Sequence, residues 1–578
     1  MVSRPARLRP PWLLWLLAVV AALPYLNALT ADFTFDDHLV IRRNPAVTTG
    51  VDLGRVFTTP LIKGDLYRPL TILSFALNEA ASPGRPGPYH LVNVGLHVAV
   101  TILVFFVGRR LFGAEWIAAT AAVLFAVHPI HTEAVTSLVG RSELFVALFG
   151  LLTLLASVRR DAAAGTGTRA ALLAASLTAF ACALLSKESA VMLLVLLPLF
   201  RVAARGEPFR AGLWTELCSL EWVPYALCVG TYLLLRSCVL AAYTPYTITS
   251  LDNILRFVPW TERLPSALAV LWDYFGLLNV PFVLAADYSY NQVPVTGWLS
   301  WRALAGTALL VTAAGIVIRN RRPAVSFAVL LPLVTVALTS NLFVLIGTVK
   351  AERHLYLPSV GWALLAAYAL ERARCVPRYR AVVPVALAVT VSAFAVRTWV
   401  RNWDWADDLA LYRSMVRTAP ESAKAHFNYG AMLQERAAQA AAAVQFRRAL
   451  EIYPVAEAAV GMGIEAESRR ATDEAVEWYG QALRMRPNLS TAHVNLCYLL
   501  LRSARWQAAA TACRNGLRYD PINPKLLKAL GTSWVELGAT AHGVDLMRRA
   551  LALDGDDDAL RADIARWETA AASARDRP

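Results

Sequence analysis

The sequence predicts an all-α chain in two unlike parts, a region of many membrane-crossing helices followed by a helical solenoid. Three observations carry that prediction. Of 578 residues, 57% are hydrophobic and only 17% charged, and the mean hydropathy is +0.45, a balance too apolar for three or four soluble domains. Most apolar residues fall in runs of roughly 17 to 25, long enough to cross about 30 Å of hydrocarbon as helices. Beyond residue 401 the composition changes, and prolines recur at 420, 454, 487 and 521, spaced by 34, 33 and 34 residues. A period near 34 marks the paired-helix tetratricopeptide repeat.

The apolar part, 1–400, reads as eleven crossings: 11–29, 90–107, 115–130, 143–158, 170–186, 188–203, 220–240, 301–318, 324–346, 357–373 and 380–398. The first follows Arg4, Arg7 and Arg9, and Leu23-Pro24-Tyr25-Leu26-Asn27 lacks a small-x-small cleavage site, so it is expected to be an uncleaved span with its N-terminus in the cytoplasm. Arg109-Arg110, Arg159-Arg160 with Arg169, Arg201 to Arg210, Arg319 to Arg322 and Arg372 to Arg380 then all fall on the inner side. That arrangement requires 263–283, which Asp273 and Pro281 interrupt, to be a re-entrant or interfacial segment on the outer face. The outer side receives the long loop 30–89, the HPIHTE turn, Lys187-Glu188, the loop 241–300 and the ERHLYLPS turn. The inner loops hold little except Arg.

After a connecting half repeat at 401–422, four repeats occupy 423–557, and 558–578 supplies a capping helix and tail. In register, the repeats place Gly430, Ala442, Phe446 and Ala449; Gly463, Ala475, Tyr479 and Ala482; Cys497, Ala509, Cys513 and Gly516; and Gly531, Gly543, Met547 and Ala550. Small residues are expected where two helices approach closely, with the larger side chain filling the gap beside them. Such an array binds a polypeptide partner on its concave face.

Net charge +14 with pI about 9.6 does not imply nucleic acid, because no Lys/Arg block interleaves with aromatics. The seven cysteines have no CxxC and no even spacing, so neither a disulfide framework nor a zinc site is expected. The excess of Arg over Lys and the abundance of Ala fit a bacterial chain from a GC-rich genome, placed in the cytoplasmic membrane with its repeats outside.

Candidate chemistry lies on the outer side. Asp36 and Asp37 directly follow the first span, and two adjacent carboxylates can supply a general base and an electrostatic partner, or simply a turn. His128, His131 and Glu133 end the third span and Arg141 with Glu143 opens the fourth; charge so close to hydrocarbon usually lines a polar cavity. Pairing of Glu133 with Arg141 is the simpler alternative. A divalent cation on His128, His131 and Glu133 is not favoured, since the spacing is not H-E-x-x-H, and no cofactor is otherwise called for. Lys187-Glu188 interrupts an apolar stretch, and Glu352, Arg353 and His354 precede LYLPS. Cations at that boundary suit a lipid-linked phosphate.

The order of these motifs resembles a known family. Asp36-Asp37 after the first span, Tyr67-Arg68-Pro69-Leu70, HPIHTEAV followed by GRSEL, Lys187-Glu188, ERHLYLPSVG and a C-terminal repeat array together look like the transmembrane and tetratricopeptide-repeat-containing O-mannosyltransferases, relatives of the protein O-mannosyltransferases with the GT-C fold. The resemblance implies transfer of a sugar, usually mannose, from a polyprenyl or dolichyl phosphate to Ser or Thr hydroxyls of acceptor proteins, with inversion. It implies Asp36, rather than Asp37, as catalytic base, Arg141 as the phosphate-holding arginine, and Lys187 and Arg353 as further phosphate contacts. No counterpart of the inserted lumenal domain of the fungal enzymes is present, which leaves acceptor recognition to other parts, the repeats included. Two other functions remain open at this stage: a membrane-anchored scaffold for envelope assembly, and a GT-C transferase acting on a glycan or lipid.

Overall fold

A computed structural model describes residues 11–62, 66–244 and 247–575. Arg4, Arg7 and Arg9 lie outside them. Among the described residues the ordered elements are helices, without a β-strand. The chain divides into two compact units, one of residues up to Ser289 with Val293–Thr418, the other of Tyr290–Gln292 with Ala419–Pro578. The change of unit thus falls some residues beyond the change in composition, because the helix Asp408–Thr418 packs with the first unit: Asp408 accepts the Phe35 N–H at 2.8 Å and meets His38 Nε2 at 2.7 Å.

Seven helices of the first unit are long and apolar enough to cross a membrane among the described residues: Trp12–Thr30, Pro86–Phe112, Leu138–Asp161, Thr166–Ser186, Val223–Leu240, Trp301–Arg319 and Pro377–Trp405. Glu115–Ala126 with Pro129–Val135, bent by 51°, makes an eighth when counted as one span. Eleven crossings were expected from the runs alone. The other three runs form Leu193–Arg205, Pro323–Ala337 and Pro358–Arg374, each shorter than a full span. They are bounded by the segments 187–192, 338–351 and 352–355, where the chain leaves the regular α-helix. The helix Trp260–Asn279 carries Glu262, Arg263 and Asp273 and is not among those apolar enough to cross.

The loops expected on the inner side hold more than Arg. Arg160, Arg201 and Arg205 form ion pairs with Asp161, Glu207, Glu216 and Glu221. The short helix Phe209–Cys218 folds back and brings Glu216 to these arginines, so carboxylates dispersed in the sequence neutralise what reads as a run of positive charge.

The second unit stacks the pairs Ala423–Glu435 with Gln439–Ile452, Ala456–Ser468 with Thr472–Met485, Ser490–Arg502 with Trp506–Leu517, and Pro524–Glu536 with Thr540–Leu553, followed by Asp558–Arg575. Close approach explains the glycines. A Cβ on Gly430 would lie 2.7 Å from the Phe446 ring, and one on Gly463 would lie 2.5 Å from the Tyr479 ring. In the third repeat cysteines take both places, and Cys497 and Cys513, 5.4 Å apart at Cα, form a buried disulfide. Their separation of 16 residues resembles no framework spacing; only the antiparallel pairing of the two helices brings them together.

Candidate active site

The loop 30–89 begins where the Trp12–Thr30 helix ends, and Phe35 turns the chain with a positive φ of 53°. Asp37, next to Asp36, is wholly buried. Its Oδ2 accepts the Thr34 N–H at 3.0 Å and its Oδ1 the Val139 N–H at 3.1 Å, which ties the loop to the turn before Arg141. Burial pushes its carboxyl up to about 7, outweighing the backbone N–H groups of Thr34, Val139 and Leu138 that favour the charged form. Asp36 is half-buried and makes no side-chain hydrogen bond among the described residues. The two carboxylates therefore have different tasks open to them, the first chemical and the second structural.

Three cations meet carboxylates between these helices, and one of them, Arg353, feels the charge of Asp36. Arg68, just before the helix Pro69–Ala81, grips Glu188 with both arms of its fork, at 3.0 and 2.6 Å, and reaches Ser142 at 3.4 Å. Lys187, where the Thr166–Ser186 helix stops, pairs with Glu143 on the first turn of the Arg141–Asp161 helix. Arg353 holds Glu133 through its side chain at 2.5 Å and its backbone N–H at 2.8 Å. These pairs form one electrostatic neighbourhood: Glu133, Asp36 and Glu143 are the anions that act on Arg353, and His354 feels Lys187, Arg353 and Arg68. Glu143, Lys187, Ser189 and His354 share a small pocket floored by Leu357 and Pro358. Charges this deep persist because each has an opposite partner. Of the carboxylates that act on Arg353, Asp36 is the one without a side-chain hydrogen bond or ion pair of its own to a described cation.

Not every residue expected at the site is there. Arg141 is enclosed, and each guanidinium nitrogen is already donating: Nε to Asn93 at 2.8 Å, Nη1 to Asn78 at 2.6 Å and Nη2 to the Tyr89 carbonyl at 2.9 Å. Its carbon lies 4.6 Å from the Phe75 ring centre and 5.6 Å from that of Tyr89. Its hydrogen bonds engage four of its five N–H groups and fasten the loop 30–89, and Glu133, the carboxylate offered as its alternative partner, pairs with Arg353. His128 caps the 129–131 turn, accepting the Ile130 N–H at 3.2 Å, while its Nε2 meets the Leu278 carbonyl at 3.0 Å. His131 bonds Ser359 at 2.8 Å and packs 4.4 Å from the Phe125 ring. Both imidazoles thus support the bend instead of lining the pocket, and among the described residues no group of three His, Cys, Asp or Glu is arranged around a metal position. Glu352 turns away from Arg353, accepting the Ala285 N–H at 2.6 Å and the Tyr288 hydroxyl at 2.7 Å; burial pushes its carboxyl up to about 7.

Arg68 was quoted only as part of a motif, yet it is buried at the centre of the cluster. An arginine directly before a helix-starting proline on a loop otherwise bound for water was the available signal.

Fold and site define a membrane protein with buried carboxylate–cation pairs beside its first long loop, joined to a tetratricopeptide array. Over most of its length the chain is similar to proteins named protein O-mannosyl-transferases. It is 28% identical over 455 residues to Protein O-mannosyl-transferase F38B6.6 of Caenorhabditis elegans, covering 76% of this chain and 63% of that one. It is 28% identical over 606 residues to TMTC3 of Mus musculus, covering 90% and 65%, and 29% identical over 497 residues to TMTC4 of Homo sapiens, covering 76% and 66%. The chain thus spans about two thirds of the length of these relatives. No family model matches it. Among solved structures the tetratricopeptide protein YrrB aligns with 15% identity and a TM-score of 0.25, covering 34% of this chain and 97% of that one.

Proposed function

We propose that this protein is a membrane glycosyltransferase that moves a sugar, mannose by analogy with the relatives' names, from a polyprenyl phosphate to Ser or Thr hydroxyls of proteins on the outer face of the membrane. The observation that carries the reading is Asp36, a half-buried carboxylate with no hydrogen bond among the described residues, set in the field of Arg353. A hydroxyl acceptor has a high pKa and needs a carboxylate to take its proton as it attacks. The acceptor oxygen bonds to the anomeric carbon from the face opposite the phosphate, the bond from that carbon to the phosphate oxygen breaks, the proton passes to Asp36, and polyprenyl phosphate leaves. Lys187, Arg353 and Arg68 supply fixed positive charge toward the departing phosphate. An inert anchor for the repeats would need one span and no buried ion pairs.

The repeats are assigned to the same side of the membrane, where they engage acceptor polypeptides. The Cys497–Cys513 disulfide supports this assignment, because disulfides persist in oxidising compartments and are rare in the cytoplasm.

The test is a purified-protein assay with a panel of polyprenyl-phosphate sugars and an acceptor protein. Asp36→Asn should leave the protein folded and lower transfer at least about a hundredfold, as loss of a general base does. Equal rates at matched folded protein would overturn the assignment of Asp36. A product on glycan or lipid alone would redirect the acceptor class.

A further inference from the structure

The turn that carries Asp36 is held by a helix to which the proposed reaction gives no task. Phe35, the residue before Asp36, has a positive φ of 53°. A residue with a Cβ resists that left-handed conformation, so it persists only where neighbouring groups impose it. The imposing groups belong to the helix Asp408–Thr418 and the residues just before it. Asp408 Oδ1 accepts the Phe35 N–H at 2.8 Å, and its Oδ2 lies 2.7 Å from His38 Nε2. The Tyr412 ring, one helical turn further on, meets the Phe35 ring edge-on with 6.3 Å between centroids. The Ala406 carbonyl accepts the Asp32 N–H at 2.9 Å.

A carboxylate at a helix start commonly caps its own helix, but here Asp407 does so, accepting the Ala410 N–H at 2.9 Å. Both Asp408 oxygens are thereby left to the turn. The helix is itself fixed to the end of the Pro377–Trp405 helix, where Arg401 Nη1 donates to Ser414 at 3.1 Å and to Asp404 at 2.8 Å, and its Leu411 and Met415 are buried. From the other side Asp37 accepts the N–H groups of Thr34 and Val139. Phe35, Asp37 and His38 are thus each tied down, while the Asp36 side chain between them makes no hydrogen bond among the described residues.

We infer that Asp408 is a positioning residue for the transfer: it clamps Phe35 and His38, which flank the Asp36-Asp37 pair, and so presents the Asp36 carboxylate to the acceptor hydroxyl. The inference rests on the reading of Asp36 as the base. A base acts only within hydrogen-bond reach of the proton it takes, and a misplacement of about 1 Å can cost on the order of a hundredfold in rate. Two contacts from one carboxylate, one on each flank of the pair, fix the turn against both sliding and rotation.

Two measurements on the full chain test this. Amide hydrogen exchange needs no substrate: Asp408→Ala should speed exchange in a peptide spanning 32–38 at least about tenfold and leave one spanning 187–192 unchanged. Asp408→Asn, which keeps an acceptor for the Phe35 N–H, should stay within about threefold of the wild type. In transfer from a polyprenyl-phosphate sugar to an acceptor protein, Asp408→Ala should lower kcat at least about tenfold and change the KM for donor less than about twofold, with most of the loss recovered in Asp408→Asn. Added to Asp36→Asn, Asp408→Ala should lower the residual transfer no further, because it acts through Asp36. Unaltered exchange overturns the inference. So does a kcat unaltered by Asp408→Ala while Asp36→Asn is impaired, or an equal fold-loss in both backgrounds. If no donor yields a product, or Asp36→Asn transfers as fast as the wild type, the function proposed above fails and the positioning role falls with it, while exchange that still responds to Asp408→Ala keeps the clamp itself.

Discussion

In the first unit Lys187 and Glu143 meet with 6% and 9% of their side chains exposed, whereas in the repeats Arg505 and Asp473 meet with 44% and 84% exposed. The same chemistry has opposite consequences in the two places. A buried pair is costly to assemble and far more costly to break, because the surviving charge has no water. An exposed pair is screened and dispensable. The first unit keeps its ion pairs buried around the candidate site, while the repeats take their stability from small residues packed against Phe446, Tyr479 and Met547.

The largest effect that would sharpen this contrast is on stability. Lys187→Met should destabilise the first unit by about 3–5 kcal/mol, and adding Glu143→Leu should restore most of the folded yield without restoring transfer. Thermal denaturation in detergent checks it, and a double variant no more stable than the single one would break the comparison. Next, Gly463→Ala should cost roughly 1–3 kcal/mol through overpacking against Tyr479, read by pulse proteolysis of the full chain. A smaller effect is expected with pH. Asp37 titrates near 3.8 when unfolded and about 7 when folded, so between those values only the folded protein keeps its proton. Stability contributed at low pH is therefore lost as pH rises from about 4 to about 7, and Asp37→Asn should flatten that part of the melting-temperature profile. Parallel profiles would show that Asp37 is ionised throughout. The smallest effect is Asp473→Ala, expected below about 1 kcal/mol; a loss comparable with that of Lys187→Met would erase the distinction between the units.

Much of the helical plan was legible in the sequence because it depends on local pattern. Apolar runs mark helices wherever backbone groups must satisfy each other out of water, and a period of 34 residues repeats whatever packs against it. The small and aromatic positions of the repeats followed from that register, since the partners belong to one helical hairpin. That ionisable residues at the ends of apolar runs are buried together was legible in outline. Their partnerships were not. Arg68 finds Glu188 across 120 residues and Arg353 finds Glu133 across 220, while Arg141, with the same side chain, donates to amide and carbonyl oxygens instead of a carboxylate. Cys497 and Cys513 are joined for a related reason, as facing positions of a hairpin that spacing alone does not reveal. The sequence determined which segments are helical and where charge is forced near the membrane, because periodicity and hydropathy act locally. Only the tertiary structure decided which cation meets which carboxylate and which carboxylate is left without a hydrogen bond, because burial and short-range hydrogen bonding exist only once distant helices have packed.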